Sequence, residues 1–388
     1  TARLVQPDEV AATGATVLNI HQGVDGLLNP YINYPFDART TAHLSSYIAT
    51  AHAHALRVKA YYTIRELSNY ADELWVLRSL GDEILTSGHG GGDAWAQEHL
   101  VDDYAACWQT PLSDGTFDSA LCTRGISRWI NYYIEGLGRL FRPPVGLDGI
   151  YYDGIGFGVH TMRRVRRTLD TEHGPGRGLI DLHCGNNLLG TQYGEVSPQL
   201  QFMHLMPYID SLWFGEGYDY RGSSPAYWMV EVSGIPFGLM GDMMHEGHVW
   251  RGMLYGMYAR PPGANPIPLW QLWDAFGMRD AVMHGYWQTR APVASSCEGV
   301  LVTSYVRYGN ATLVAIASWD AEPRTCTLII NYAALGFSPP RVRIYYPDLT
   351  ALGQSGMEVE LRSDGILSYS PQVLFGANDG AILIVERR

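Results

Sequence analysis

Between residues 16 and 290, short apolar runs alternate with longer stretches whose apolar positions recur at a 3.6-residue spacing. TVLNI (16–20), RVKAYYT (57–63), LDGIYYD (147–153), LIDLH (179–183), IDSLWF (209–214) and IPFGLM (235–240) read as strands. Near-continuous apolar runs of this kind suit a parallel sheet covered on both faces. Residues 41–56, 126–141 and 159–169 read as the helices between them. The alternation predicts a (β/α)8 TIM-type barrel. Its two remaining strands are expected around residues 75–110 and after the stretch 251–260. SGHGGGD (87–93) reads as part of a long insertion reaching to about Ser119. It lacks the lysine and the strand-to-helix setting of a phosphate loop.

After Pro292 the texture changes. GVLVTSYVRYG, ATLVAIASWD, CTLIINY, RVRIYYP, MEVELR and AILIVERR alternate or run apolar, are joined by turn residues, and have no helix between them. That is a C-terminal antiparallel β-sandwich. The expected organisation is a catalytic barrel over residues 1–291 and a capping sandwich over residues 292–388.

Composition narrows the function. At 388 residues with 46% hydrophobic and 17% charged side chains, the chain has no run near the ~20 apolar residues of a membrane helix. No membrane span is expected. A net charge of −12 argues against nucleic acid as a partner, because binding a polyanion needs clustered Lys and Arg. The one basic cluster, RRVRR around Arg164, reads as a solvated helix face. The 25 tyrosines and 11 tryptophans suit stacking on sugar rings, although large cores use them too. Lys59 is the one lysine among 27 basic residues, which reads as a compositional bias.

Five cysteines show no metal spacing. They fit two bridges, Cys107 with Cys122 and Cys297 with Cys326, plus one free thiol; five reduced, buried cysteines fit the arithmetic as well. Bridges require an oxidising compartment, and Asn310-Ala-Thr312 is a glycosylation sequon. Both point to a secreted or lumenal chain. No signal peptide is visible, so secretion implies that this chain begins after processing.

In such a barrel, chemistry gathers just past the carboxyl ends of the strands. There the sequence places His21, Tyr61, Arg65, Glu66, Asp153, His183, Asn187, Trp213, Glu216, Asp219 and Asp242. Carboxylates, an arginine, histidines, amides and aromatics on one rim match the demands of glycosidic cleavage: one carboxyl group protonates the leaving oxygen while another acts as nucleophile or base. Asp153 and Glu216 form the expected catalytic pair. Glu216, in WFGEGYDY, has the apolar neighbours that raise an acid's pKa. The other nine residues, from His21 to Asp242, are expected to hold substrate. Asp153 could instead cap the next helix, and Glu216 could sit in an ion pair with Arg65 or Arg221. Asp148 and Asp210 open their strands and read as structural. No cofactor is expected.

The runs VLNIHQG, RVKAYYTIRELSN, LDGIYYDGIGF, LIDLHCGNN, YIDSLWFGEGYDY, VEVSGIPFGLMGDM and LWQLWDAFGM resemble a glycoside-hydrolase-like family known as domain of unknown function 6067, related to glycoside hydrolase family 123. The resemblance covers nearly the whole chain. It implies a barrel with a C-terminal β-domain acting on carbohydrate. Family 123 enzymes are similar to hydrolases of β-linked N-acetylgalactosamine that use an adjacent Asp-Glu pair and the substrate's acetamido group. This chain departs from that pattern, because Asp153 is followed by Gly154. The resemblance therefore carries fold and class and leaves sugar specificity open. The leading expectation is an exo-acting glycosidase on an oligosaccharide or glycoconjugate. Two alternatives fit the same residues: a catalytically silent carbohydrate-binding or structural barrel in an extracellular assembly, and a metal-dependent hydrolase using His21, His183, Asp153 and Glu216.

Overall fold

The computed structural model describes residues 4–21, 38–91, 94–101, 103–112, 114–153, 157–184, 202–214, 218–261, 263–338, 341–359, 372–375 and 379–388. It divides into two compact units, Thr1–Trp213 and Phe214–Arg388.

The first unit is built on strands Val17–Ile20, Arg57–Tyr61, Gly149–Asp153 and Leu179–Cys184, paired in parallel in that order, with Ser211–Phe214 next in the sheet. All five lie within runs that the apolar pattern marks, apart from one further residue, Cys184. Helices Ala38–Ala53, Trp129–Phe141 and Val159–His173 fall between them. The register aligns Tyr61 with Tyr151 and Asp153 with His183. Because strand side chains alternate between faces, Lys59 and Tyr61 share one face, as do Tyr151 with Asp153 and Asp181 with His183. Strand Gly149–Asp153 is buried until its last residue, Asp153, where burial lapses.

Asp148 and Asp210 are tied to the starts of neighbouring strands. Asp148 accepts from the Val58 amide at 2.7 Å and meets His52 at 2.8 Å. Asp210 accepts from the Ile180 amide at 2.7 Å and pairs with Arg166.

No barrel strand lies among the described residues between 75 and 110, against expectation. That region instead builds short helices and small sheets, one of them ordered Glu66–Ser68, Phe117–Cys122, Ala106–Pro111 and antiparallel throughout. Strands Ala106–Pro111 and Phe117–Cys122 thus pair as a hairpin laid along the segment that follows the second parallel strand. Both expected disulfides are present, Cys107–Cys122 and Cys297–Cys326.

In the second unit, the run 235–240 is not the strand its apolar character suggests. Gly234 and Gly238 take positive φ values of 67° and 72°, so Ile235–Phe237 forms a 3-10 turn and the strand begins at Met240. That strand, Met240–Met243, pairs in parallel with Tyr258–Ala259, a strand inside the stretch 251–260 rather than after it as expected. Beyond it, strands Val282–His284, Val300–Arg307, Ala311–Ser318, Gly380–Arg387, Val342–Tyr346 and Met357–Glu358 form one six-stranded sheet, and Val293–Ser295, Arg324–Ile330 and Gln372–Phe375 form a second. Their shared core includes Val302, Val314, Ile316, Leu328, Ile344 and Leu383. A short helix, Tyr332–Leu335, interrupts the expected all-strand pattern.

Arg251 is fully buried in this unit. Its guanidinium donates to the carbonyls of Tyr220 (2.8 Å), Arg221 (2.6 Å) and Ser318 (3.3 Å), and lies 4.2 Å from the Trp319 ring centre. The Trp319 indole donates in turn to the Ser223 carbonyl at 2.9 Å. Burial lowers the Arg251 pKa to about 10, so it remains a cation at neutral pH.

Candidate active site

The ends of the first unit's parallel strands bring seven expected residues together: His21, Tyr61, Arg65, Glu66, Asp153, His183 and Trp213. Asp153 is the centre. Its Oδ1 lies 3.1 Å from His183 Nδ1, and its Oδ2 accepts from the Tyr61 hydroxyl at 3.3 Å. Arg65 donates to its backbone carbonyl. An ionised carboxylate can only accept, so the proton of His183 sits on Nδ1. His183 Nε2 is buried with no hydrogen-bond partner among the described residues.

Burial alone would raise the Asp153 pKa. Hydrogen bonds from His183 and Tyr61 and the charges of His183 and Arg65 outweigh it, and the net direction is down. Its side chain keeps 39% exposure, so the ionised group is open to a ligand.

Glu66 is the opposite case. It is 3% exposed, and desolvation raises its pKa despite the Arg65 charge and hydrogen bonds from Trp108 and Tyr61. The Tyr61 hydroxyl stands 3.1 Å from Glu66 Oε2 as well as 3.3 Å from Asp153. It has one proton to give. Burial first, then the two carboxylates, push the Tyr61 phenol far above its ordinary value, so it is a neutral donor at every physiological pH.

Aromatic rings wall the carboxylate. Tyr151 lies 4.6 Å from Trp213 and 5.7 Å from Tyr61, and His21 lies 5.1 Å from Tyr61, all centroid to centroid. Trp108, from the hairpin, packs against the buried cluster that Tyr61, Ala120 and Tyr151 form. Tyr151 and Trp108 are site residues that the sequence reading did not single out. Tyr151 could have been found, since it sits two positions before Asp153 and so shares its face. Trp108 gave no local signal.

Beneath this layer lies a buried ion pair, Lys59 Nζ to Asp181 Oδ2 at 2.7 Å, with Ser211 donating to Asp181 Oδ1 at 2.8 Å. The lone lysine is therefore an interior strut. Reading it as compositional bias missed its position two residues before Tyr61.

Glu216 and Asn187 lie outside the described residues. Asp219 and Asp242 belong to the second unit. Asp219 is exposed and accepts from the amides of Arg221 and Gly222 at 3.1 and 2.8 Å, while Asp242 pairs with Arg260 at 3.5 Å. Among the described residues, no three His, Cys, Asp or Glu side chains converge as a metal site, and no helix is long and apolar enough to cross a membrane.

Parallel strands whose ends gather an open carboxylate among aromatic rings are an arrangement that glycosidic cleavage can use, and the family comparison gives the class: a glycoside hydrolase barrel enzyme. The glycoside hydrolase 123 TIM-barrel domain matches residues 2–262, and the glycoside hydrolase 123 C-terminal domain matches residues 265–366. The chain belongs to the glycoside hydrolase 123 family and is a glycosidase.

No curated protein matches it significantly. Solved structures with a similar fold include an α-amylase from Anoxybacillus (10% identity, 98% of this chain and 89% of that one, TM-score 0.57). A maltogenic α-amylase from Thermotoga neapolitana is similar at 10% identity, with 98% and 93% coverage and a TM-score of 0.55. A β-L-arabinopyranosidase from Geobacillus stearothermophilus gives 10%, 98%, 91% and 0.54 for the same four measures. At such identities the likeness speaks for the barrel fold alone.

Proposed function

We propose that the chain removes a terminal sugar from an oligosaccharide or glycoconjugate, with Asp153 as the ionised carboxylate at the reacting carbon and Glu216 as its acid partner. Asp153 carries this reading: it is the open, negatively charged end of a buried strand, lined by rings whose flat faces suit a sugar. A fixed carboxylate there would stabilise, or attack, the oxocarbenium-like centre of glycosidic cleavage. His21, Tyr61, Arg65, Glu66, His183, Asn187, Trp213, Asp219 and Asp242 complete the proposed set. Because Gly154, not Glu, follows Asp153, the reading does not rest on an adjacent Asp-Glu pair. The reading gives chemistry to residues 1–291 and none to the sandwich 292–388. Two disulfides and the exposed Asn310 in its turn support a secreted or lumenal setting.

The test is a panel of aryl glycosides. The wild type is expected to release phenol from at least one. Glu216→Gln should lose about a hundredfold in kcat on 4-nitrophenyl glycosides and far less on dinitrophenyl ones, because a better leaving group needs less protonation. Equal losses on both would move the acid role elsewhere. Sugar binding without product release from any member would favour a silent binding barrel.

A second expectation concerns Glu66. While neutral, Glu66 can donate to the Tyr61 oxygen and leave the tyrosyl proton to Asp153. Once ionised, it claims that proton and repels Asp153. Rising pH through the elevated Glu66 pKa thus strips Asp153 of a donor. Glu66→Gln fixes the neutral form, and is expected to remove the corresponding fall from the alkaline side of the kcat/KM profile. The sign on stability agrees: a carboxyl whose folded pKa is raised stabilises below its unfolded value and loses that contribution as pH rises. The variant should therefore melt no lower than wild type at pH 8. An unchanged alkaline limb would remove Glu66 from this role.

A further inference from the structure

The hairpin Ala106–Pro111/Phe117–Cys122 is bound tightly to the segment carrying Arg65 and Glu66. Glu66, Leu67 and Ser68 pair with Cys122, Leu121 and Ala120. Thr123 donates its amide to the Arg65 carbonyl at 2.7 Å and its hydroxyl to the Ile64 carbonyl. Asn69 and Ser119 exchange hydrogen bonds at 3.0 and 2.8 Å.

Within the hairpin the ladder slips: Ala106 pairs with Leu121, but Trp108 pairs with Ala120. The extra residue is Cys107, the one bonded to Cys122. A bulge re-aims the side chain that follows it. Here that side chain is Trp108, which packs against the Tyr61, Ala120 and Tyr151 cluster. The Tyr61 hydroxyl lies 3.1 Å from Glu66, and Trp108 lowers the Glu66 pKa as a hydrogen-bond donor.

We propose that Trp108 is a positioning residue for the glycosidase reaction, held against Glu66 by the bulge that the Cys107–Cys122 bond fixes. The inference rests on the reading of Asp153 above, since Trp108 acts on Asp153 only through Glu66 and Tyr61. Among the described residues, Arg65, Tyr61, Trp108 and Asp153 act on the Glu66 carboxyl. Of these, Trp108 alone is delivered by the hairpin. The indole N–H favours ionised Glu66, so Trp108 lowers the pH at which the Tyr61 proton changes partner, against the burial that raises it.

The experiment compares wild type, Trp108→Phe, the double variant Cys107→Ala/Cys122→Ala, and Cys297→Ala/Cys326→Ala as a control in the sandwich. Two readouts are used: the Glu66 carboxyl titration by infrared difference against Glu66→Gln, and kcat and KM on the aryl glycosides. Trp108→Phe keeps the ring and loses the donor. It should move the Glu66 titration up by about one pH unit, and the hairpin double variant should do the same, with circular dichroism confirming that both are folded. The control should titrate and turn over as wild type does. An unmoved Glu66 titration in folded Trp108→Phe overturns the proposal, and so does one in the folded double variant. If wild type cleaves no glycoside, the reaction reading fails on its own while the infrared result still decides whether Trp108 governs Glu66.

Discussion

Replacing Asp153 with Asn is expected to lower kcat by about a thousandfold on any glycoside the wild type cleaves, with little change in KM. Asparagine keeps the size and one acceptor but removes the charge, and charge is what the reacting carbon draws on. It also places an amide NH2 against either His183 Nδ1–H or the Tyr61 hydroxyl, both donors to the native carboxylate. Melting at several pH values checks that the loss is chemical. The lowered Asp153 pKa means that its ionised form stabilises the fold above the unfolded value, near 3.9, and that this contribution is lost as pH falls through the folded value. The small melting deficit of the variant should therefore be largest near neutrality and close in acid. Activity within tenfold of wild type would sink the assignment of Asp153.

The second large effect is on stability. Lys59→Met is expected to cost about 3–5 kcal/mol, because removing one member of a buried ion pair strands the other. The stranded group is Asp181, whose side chain is 1% exposed. Ser211 donates a hydrogen bond to it, but a neutral donor does not replace a lost cation. Lys59→Met/Asp181→Leu removes both charges and should recover most of the loss. Urea denaturation followed by circular dichroism measures all three proteins. A single variant as stable as wild type would show that the pair carries no such strain.

Much of this fold was legible because apolar runs and helical spacing are local properties. The strands at 57–61, 149–153 and 179–184 lie where the pattern puts them, and their ends name most of the cluster around Asp153. The failures have one physical root. IPFGLM is apolar enough for a strand, yet two left-handed glycines turn it, and periodicity does not register backbone handedness. Lys59 sits in a run buried on both faces, so nothing local says that its face meets Asp181, 122 positions away. Trp108 reaches the site through a bulge and a disulfide, a placement decided by pairing rather than by neighbours. Glu66 was visible as a rim residue, but its burial beneath Tyr61 was not.

Arg251 has a bearing on how such enzymes diversify. Its three backbone carbonyl contacts and the Trp319 ring tie a loop of the family's barrel region to the end of a sandwich strand, inside a single compact unit. Exchange of the sandwich by recombination would take away the Ser318 carbonyl and the Trp319 ring and leave the guanidinium only the Tyr220 and Arg221 carbonyls. Sequence drift at Trp319 is thus constrained by a cation seated in the other part.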